Sequence, residues 1–384
     1  MHPLNRLAIL STAVSLLFAN AACASETVNS EYQSLRLVNV VDGLDHVWAF
    51  AFLPNGDLLV TERSGNLSRI RDGSALAVSG APAVTARGQG GLLDVSLHPD
   101  FATNRLVYLT YSRSNPDSPG ETAVALARGE LDGLRLENVE EIFVQNRYSG
   151  PGRHYGSRLA WLPDGTLLMS VGDRGSDPPR AQDLGDHAGS LLRLNDDGSV
   201  PDDNPFVNRD DAAPEIYATG LRNIQGLMVH PDTGEIWATD HGPRGGDELN
   251  RIEAGENYGW PKVSLGVNYR TQEPYFDYTV RHKEGMVDPV IDWTPSLAVS
   301  GLAALPEDSR YAGQWSGNFL AGGLRSQQLR RVVFRDGIPV HEEELIRGSL
   351  GRIRDVRVGP DGILHVATDN GGGRDGIWRL EPAR

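Results

Sequence analysis

Cysteine is almost missing from this chain. The only one, Cys23, sits in an N-terminal stretch that reads as a processing segment. Residues 1–24 carry a single basic residue, Arg6, a mainly apolar core over 7–18, and the small-residue pattern Ala22-Cys23-Ala24, so they read as a signal peptide ahead of a mature chain of 25–384. The mature protein then has neither thiol nor disulfide. An alternative keeps Cys23 as the lipid-anchored N-terminus of a bacterial lipoprotein, although Asn20 is a poor residue three places before such a cysteine. The apolar run is too short to cross a bilayer and no other such run follows, so the mature chain has no transmembrane span and is exported, to the periplasm or beyond.

An excess of positive charge is missing as well. Lys plus Arg number 36 against 51 Asp plus Glu, a net charge of −15. That argues against nucleic acid or an anionic membrane surface as the main partner. An anionic ligand would need a local cluster of arginines. Long helical stripes and an internal linker are also lacking, as are a Gly-x-Gly-x-x-Gly stretch between strand and helix and a Gly-Lys-Ser/Thr phosphate loop. One domain is the economical reading.

What the chain does have is turns. With 44 glycines, 23 prolines and apolar residues in short runs, it reads as all-β. One pattern recurs: an apolar run, Pro with Asn, Asp or Glu, usually Gly, then another apolar run. Its prolines are Pro54, Pro99, Pro163, Pro231, Pro306 and Pro360, at steps of 45, 64, 68, 75 and 54 residues. Six diverged strand–turn–strand units predict a six-bladed β-propeller, because no unit alone can bury both faces and a closed ring can. Two tandem β-sandwiches are the structural alternative, disfavoured by the repeat count.

Residues 217–262 concentrate the polar chemistry. Arg222, Asn223 and Gln225 precede a predicted strand–turn–strand, which is followed by Asp240-His241-Gly242-Pro243 and then Asp247-Glu248. The Arg-Asn-Gln group could be a hydrogen-bonded loop corner. The Gly-Pro turn offers main-chain carbonyls next to two carboxylates, the hard oxygen ligands that calcium selects. In the third unit His154 and Asp173 lie across a hairpin, where a carboxylate could orient the imidazole and stabilise its protonated form, as a general base requires. The alternative is a structural or surface histidine. Arg352 and Arg354 share a strand face by period-two alternation, and Arg325 is a third candidate for an anion-binding group, with salt bridges to carboxylates as the alternative. Gln89, in Gly-Gln-Gly-Gly-Leu-Leu, reads alone as a turn, and Gly371–Gly373 as a flexible turn.

Taken together, the motifs GQGGLL, HYGSRL, SVGDRG, LRNIQGL, DHGPRGGDELN, NYGW and RIRDV, spread over about 300 residues, resemble the soluble pyrroloquinoline quinone (PQQ) dependent sugar dehydrogenases, nearest their aldose sugar dehydrogenase branch. The resemblance implies a six-bladed propeller holding PQQ and Ca²⁺ at one end of the ring, oxidising an aldose at C1 to the lactone and passing electrons to an acceptor the residues do not identify. By matching position, it makes His154 the base and Asp173 its supporting carboxylate. Arg222, Asn223 and Gln225 fall at the quinone, and Arg325, Arg352 and Arg354 at its carboxylates. The carbonyls of Gly242 and Pro243 match ligands of the cofactor's Ca²⁺, Glu248 and Tyr258 a second, structural Ca²⁺ site, and Gln89 a substrate contact. Arg153 and His241 stand where the glucose-oxidising branch has Asp and Gln, so its sugar preference does not transfer. Two rival readings are a calcium-dependent lactone hydrolase, which needs acidic metal ligands in the channel, and a non-catalytic glycan-binding propeller. Neither accounts for the arginines.

Overall fold

The computed structural model describes residues 26–311 and 313–383, so the processing segment and Cys23 lie outside the described residues. The described chain folds as six antiparallel sheets arranged as a β-propeller. From the ring axis outward, the first blade is Val47–Phe52, Leu58–Glu62, Leu67–Arg71 and Ser74–Val78. The second is Leu92–Leu97, Leu106–Ser114, Thr122–Asp132 and Arg135–Val144. The third is Gly156–Trp161, Leu167–Val171, Ser190–Leu194 and Ile216–Ala218, and the fourth Ile224–Val229, Ile236–Asp240, Asp247–Ile252 and Ile291–Trp293. The fifth is Val299–Ala304, Phe319–Gly323, Gln328–Arg335 and Ile338–Leu345. The sixth takes Ile353–Val358, Leu364–Thr368 and Asp375–Pro382 from the end of the chain and Ser34–Leu44 and Glu26–Asn29 from its beginning.

That last sheet closes the ring: Leu37 pairs with Leu380 and Val41 with Ile377, so the two ends of the described chain are hydrogen-bonded in one blade. Each recurring Pro turn joins the innermost strand of a blade to the second, and Gly56 in the first of them has φ of 89°, a conformation glycine adopts at no steric cost. The cores lie between sheets. Trp48, Leu59, Leu93, Tyr108, Leu126 and Leu167, from three successive blades, are buried in one cluster. The innermost strand of every blade packs on that of the next, and the sixth on the first.

The axis is closed midway by charge. Arg158 donates to Asp355 at 2.8 Å, Arg357 reaches Asp94 at 2.7 Å and Asp355 at 2.8 Å, and the Arg158 guanidinium lies 4.2 Å from the centre of the Trp48 ring. Two arginines thus neutralise two buried carboxylates, the arrangement that makes buried charge tolerable. A mainly aliphatic cavity of about 340 Å³ lies on one side of this plug. The polar chemistry lies on the other.

Candidate active site

The second cavity, of about 430 Å³, is lined from all six blades, among others by Trp48, Gln89, Tyr155, Gln225, Leu324 and Arg354. A closed ring makes this possible: residues far apart in sequence stand at the ends of neighbouring inner strands, around one axis.

His154 sits just before the inner strand of the third blade, with φ of 51°, in the left-handed region that non-glycine residues rarely occupy. Its main-chain N–H donates to Gln89 Oε1 at 2.7 Å, and the buried Arg174 donates to the His154 carbonyl at 3.2 Å. Such a costly backbone state persists when its surroundings hold it, as they do here. His154 Nδ1 meets Asp173 Oδ1 at 2.7 Å. Asp173 is fully buried and also accepts from the Gly175 N–H at 2.8 Å and the Trp260 indole N–H at 2.8 Å. Burial works against its charge, but His154, Arg222 and the indole together hold it below the ordinary carboxylate range. An ionised Asp173 fixes the imidazole proton on Nδ1, leaving Nε2 as an acceptor, to which Arg222 Nη2 makes a long contact of 3.4 Å. Burial, and then Arg222, lower the pKa of His154 more than Asp173 raises it. The carboxylate therefore orients the ring and favours its protonated form, while burial and Arg222 oppose that form more strongly.

Asp240 organises the next cluster. It ends the second strand of the fourth blade and accepts the main-chain N–H groups of Arg222 at 2.8 Å and Asn223 at 2.5 Å, clamping the start of the inner strand. Asn223 Oδ1 accepts from Gly156 N at 3.0 Å, which ties the fourth blade to the third beside His154. The Arg222 side chain donates to the carbonyls of His241 at 2.8 Å and Gly242 at 2.7 Å, while the Tyr269 hydroxyl donates to Pro243 O at 2.9 Å. Both residues of the Gly-Pro turn are buried, and both carbonyls are already hydrogen-bonded, Gly242 O to a guanidinium. Each carbonyl oxygen retains a second lone pair. His241 lines the cavity with a buried Nε2 that has no partner, its pKa pushed down to about 3 by burial, Arg222 and Arg354.

The arginines converge in part. Arg354 is buried, donating to Asp369 Oδ2 at 2.6 and 3.2 Å and to Gln225 Oε1 at 2.9 Å. Arg352, whose side chain is 41% exposed, comes within 3.7 Å of the same carboxylate. Arg352 stands just before the strand Ile353–Val358, and Asp369 is the anion both guanidiniums face; with Arg354 and His46 beside it, its pKa is held at about 2 despite burial. Arg325 is exposed, and its neighbour Leu324 lines the cavity in its place.

Glu248 and Tyr258 have separate surroundings. Glu248 is in register with Asp240 on one side and Asp292 on the other. Burial and Asp240 push its pKa up to about 8. Tyr258 is buried, its hydroxyl donating to Arg251 O at 2.8 Å and accepting from Glu253 N at 2.8 Å. No hydrogen bond joins the two side chains.

Several residues of the site escaped sequence reasoning. Asp369, His46, Arg63 and Tyr269 line the cavity, and Trp260 supports Asp173. Only Trp260 carried a signal, as the indole of the NYGW motif. The Gly371–Gly373 turn is anchored where a flexible one was expected: its N–H groups donate to Asp375 Oδ2 at 2.8 Å and to Asp45 Oδ1 at 2.6 and 3.4 Å. His46 Nδ1 meets Asp369 Oδ1 at 2.6 Å just beside it.

The family model for glucose / sorbosone dehydrogenases matches residues 44–379. An uncharacterised protein of Synechocystis sp. is 44% identical over 93% of this chain and 89% of its own length. The aldose sugar dehydrogenase YliI of Escherichia coli is 39% identical over 91% of this chain and 94% of its own. The solved PQQ-bound form of the aldose sugar dehydrogenase from Streptomyces coelicolor superposes with a TM-score of 0.72 at 30% identity, covering 90% of this chain and 96% of that one. Fold, cavity and sequence agree: the chain belongs to the glucose/sorbosone dehydrogenase family.

Proposed function

We propose that residues 25–384 form one exported catalytic propeller that oxidises aldoses at C1 to the lactone, with PQQ and Ca²⁺ in the six-blade cavity. The observation that carries this reading is the cavity itself. It gathers Arg63, Arg352 and Arg354 around the single carboxylate of Asp369, next to an oriented His154–Asp173 pair. A polycarboxylate fits that wall, since a buried donor without a partner, Arg63 Nε, awaits an acceptor. The carbonyls of Gly242 and Pro243 are the hard oxygen ligands such a cation selects, and it would share them with the Arg222 and Tyr269 donors. Relatives named aldose sugar dehydrogenase, one solved with PQQ bound, support the same group.

When bound, the quinone accepts a hydride from the sugar and the cation polarises its carbonyl. This chain's residues do the rest. His154 Nε2 takes the hydroxyl proton, Asp173 holds Nδ1–H and stabilises the imidazolium that forms, and burial, with Arg222 beside Nε2, keeps the resting ring neutral. Gln89 fixes the His154 main chain and so the approach of the ring. The Arg158–Asp355 plug shuts the channel behind the site. It also weakens the hydrolase reading, because Asp94 and Asp355 are engaged by arginines and are not free to hold a metal.

The reading is tested by titrating metal-loaded apoprotein with PQQ and following its visible absorption. Arg354→Ala is expected to weaken binding about ten- to a hundredfold, the range for a hydrogen bond to a charged group. Arg352→Ala, starting from a more exposed guanidinium, is expected to fall at the lower end. Unchanged titration curves for both would reduce the pair to salt bridges with Asp369. A second prediction concerns Glu248. With Ca²⁺ present, Glu248→Gln is expected to lower the melting temperature with little change in turnover, because a site that binds only the folded state adds its binding energy to stability. A large loss of turnover at unchanged melting temperature would contradict a structural role.

A further inference from the structure

Arg63 lies just past the second strand of the first blade, outside every motif of the sequence. It lines the cavity, yet its own bonding is poor. Nη1 donates to the Gly88 carbonyl at 2.9 Å, Nη2 stands 3.7 Å from Asp369 Oδ1, and the buried Nε has no partner. Asp369 is already taken, by His46 at 2.6 Å and Arg354 at 2.6 Å. The two other carboxylates near Arg63 are also engaged. Asp375 accepts from the N–H groups of His46 and Gly371 and the Thr368 hydroxyl, and Asp45 from Gly372 and Gly373. Among the residues lining the cavity, three guanidiniums face the one carboxylate of Asp369. Burial disfavours the Arg63 charge and Asp369 offsets that only in part. An unused buried donor on this half-buried cation is costly unless a ligand supplies the acceptor.

The position is built, too. Arg63 N donates to the His46 carbonyl at 3.1 Å, and a Cβ on Gly91 would stand 1.8 Å from the Arg63 carbonyl oxygen. The Gly-Gln-Gly-Gly stretch, a mere turn by sequence, therefore has three tasks. Gly91 makes room for the Arg63 main chain, Gly88 holds its guanidinium, and Gln89 holds the main chain of His154.

We propose that Arg63 is a further anchor for the carboxylates of the bound cofactor, gripping from the first blade while Arg352 and Arg354 grip from the sixth. This rests on the reading of the cavity as a PQQ site. The test is equilibrium titration of the Ca²⁺-loaded apoprotein with PQQ, by absorbance, alongside the melting temperature of the ligand-free protein. Arg63→Gln is expected to bind PQQ about ten- to a hundredfold more weakly, with a weaker salt dependence and no fall in melting temperature. Arg63→Lys, a point charge without the fork, is expected to fall between it and the wild type. Binding by Arg63→Gln within twofold of the wild type would overturn the anchor and leave the PQQ reading standing. Equal weakening by Lys and Gln would show that charge is not what Arg63 supplies, and would also overturn it. Wild-type protein that fails to bind PQQ would remove the reading and the anchor together.

Discussion

Replacing His154 by alanine is expected to lower kcat per bound PQQ by ~10²–10⁴-fold, the usual cost of losing a positioned base, while leaving the cofactor in place. The structure gives a reason why the protein should survive the change. Asp173 would keep its hydrogen bonds from the Gly175 N–H and the Trp260 indole, so no buried carboxylate is abandoned. Proton removal is needed only as the transition state forms, so the loss belongs in kcat. The pH profile gives a second signature. Burial and Arg222 lower the pKa of His154, so its neutral, proton-accepting form persists below the ordinary histidine value. The acid limb of kcat/KM should therefore lie below pH ~6.5, rise with pH, and vanish in His154→Ala. Asp173→Asn should also lower kcat, because an amide can orient the ring but cannot stabilise imidazolium as a carboxylate does. If His154 merely packs the blade, stability and cofactor would be lost together, with turnover per bound PQQ nearly intact.

Thorough chelation is expected to abolish dye-linked aldose oxidation, and Ca²⁺ with PQQ to restore it. On the proposed reading the cation is held by two main-chain carbonyls, Gly242 O and Pro243 O, which here accept from Arg222 and Tyr269. Without the cation nothing beyond these residues would polarise the cofactor, so the loss should appear as near-complete inactivity. Chelation should also lower the melting temperature. A ligand at a hundred times its Kd adds about 2.7 kcal/mol to folding stability, which is withdrawn with the metal. Full turnover by metal-free, PQQ-loaded protein would contradict the assignment of the Gly-Pro turn.

Much of the fold was legible because its signals are local. Pro with Asn, Asp or Glu between two apolar runs specifies a turn within a few residues, and all six such turns fall between the first and second strands of a blade. The His154–Asp173 juxtaposition was legible for the same reason, since the two residues flank a single hairpin. Arg63, His46 and Asp369 were not. His46 and Asp369 are 323 residues apart and meet only because the first blade adjoins the sixth when the ring closes. No local pattern records that. Arg325 shows the converse: the family resemblance put it at the cofactor, while here its neighbour Leu324 lines the cavity and Arg325 is exposed. The Gly371–Gly373 turn misled for a third reason, since glycine codes for permissive backbone and says nothing of the carboxylates, Asp45 and Asp375, that pin it.

The most direct test mixes Ca²⁺- and PQQ-loaded protein with an aldose in the absence of oxygen and of any electron acceptor, and follows the absorption of the bound cofactor. The account predicts reduction in a single turnover, stoichiometric with sites, at a rate that falls with His154→Ala and in the chelated protein. A spectrum unchanged by saturating aldose in fully loaded wild-type protein would contradict it.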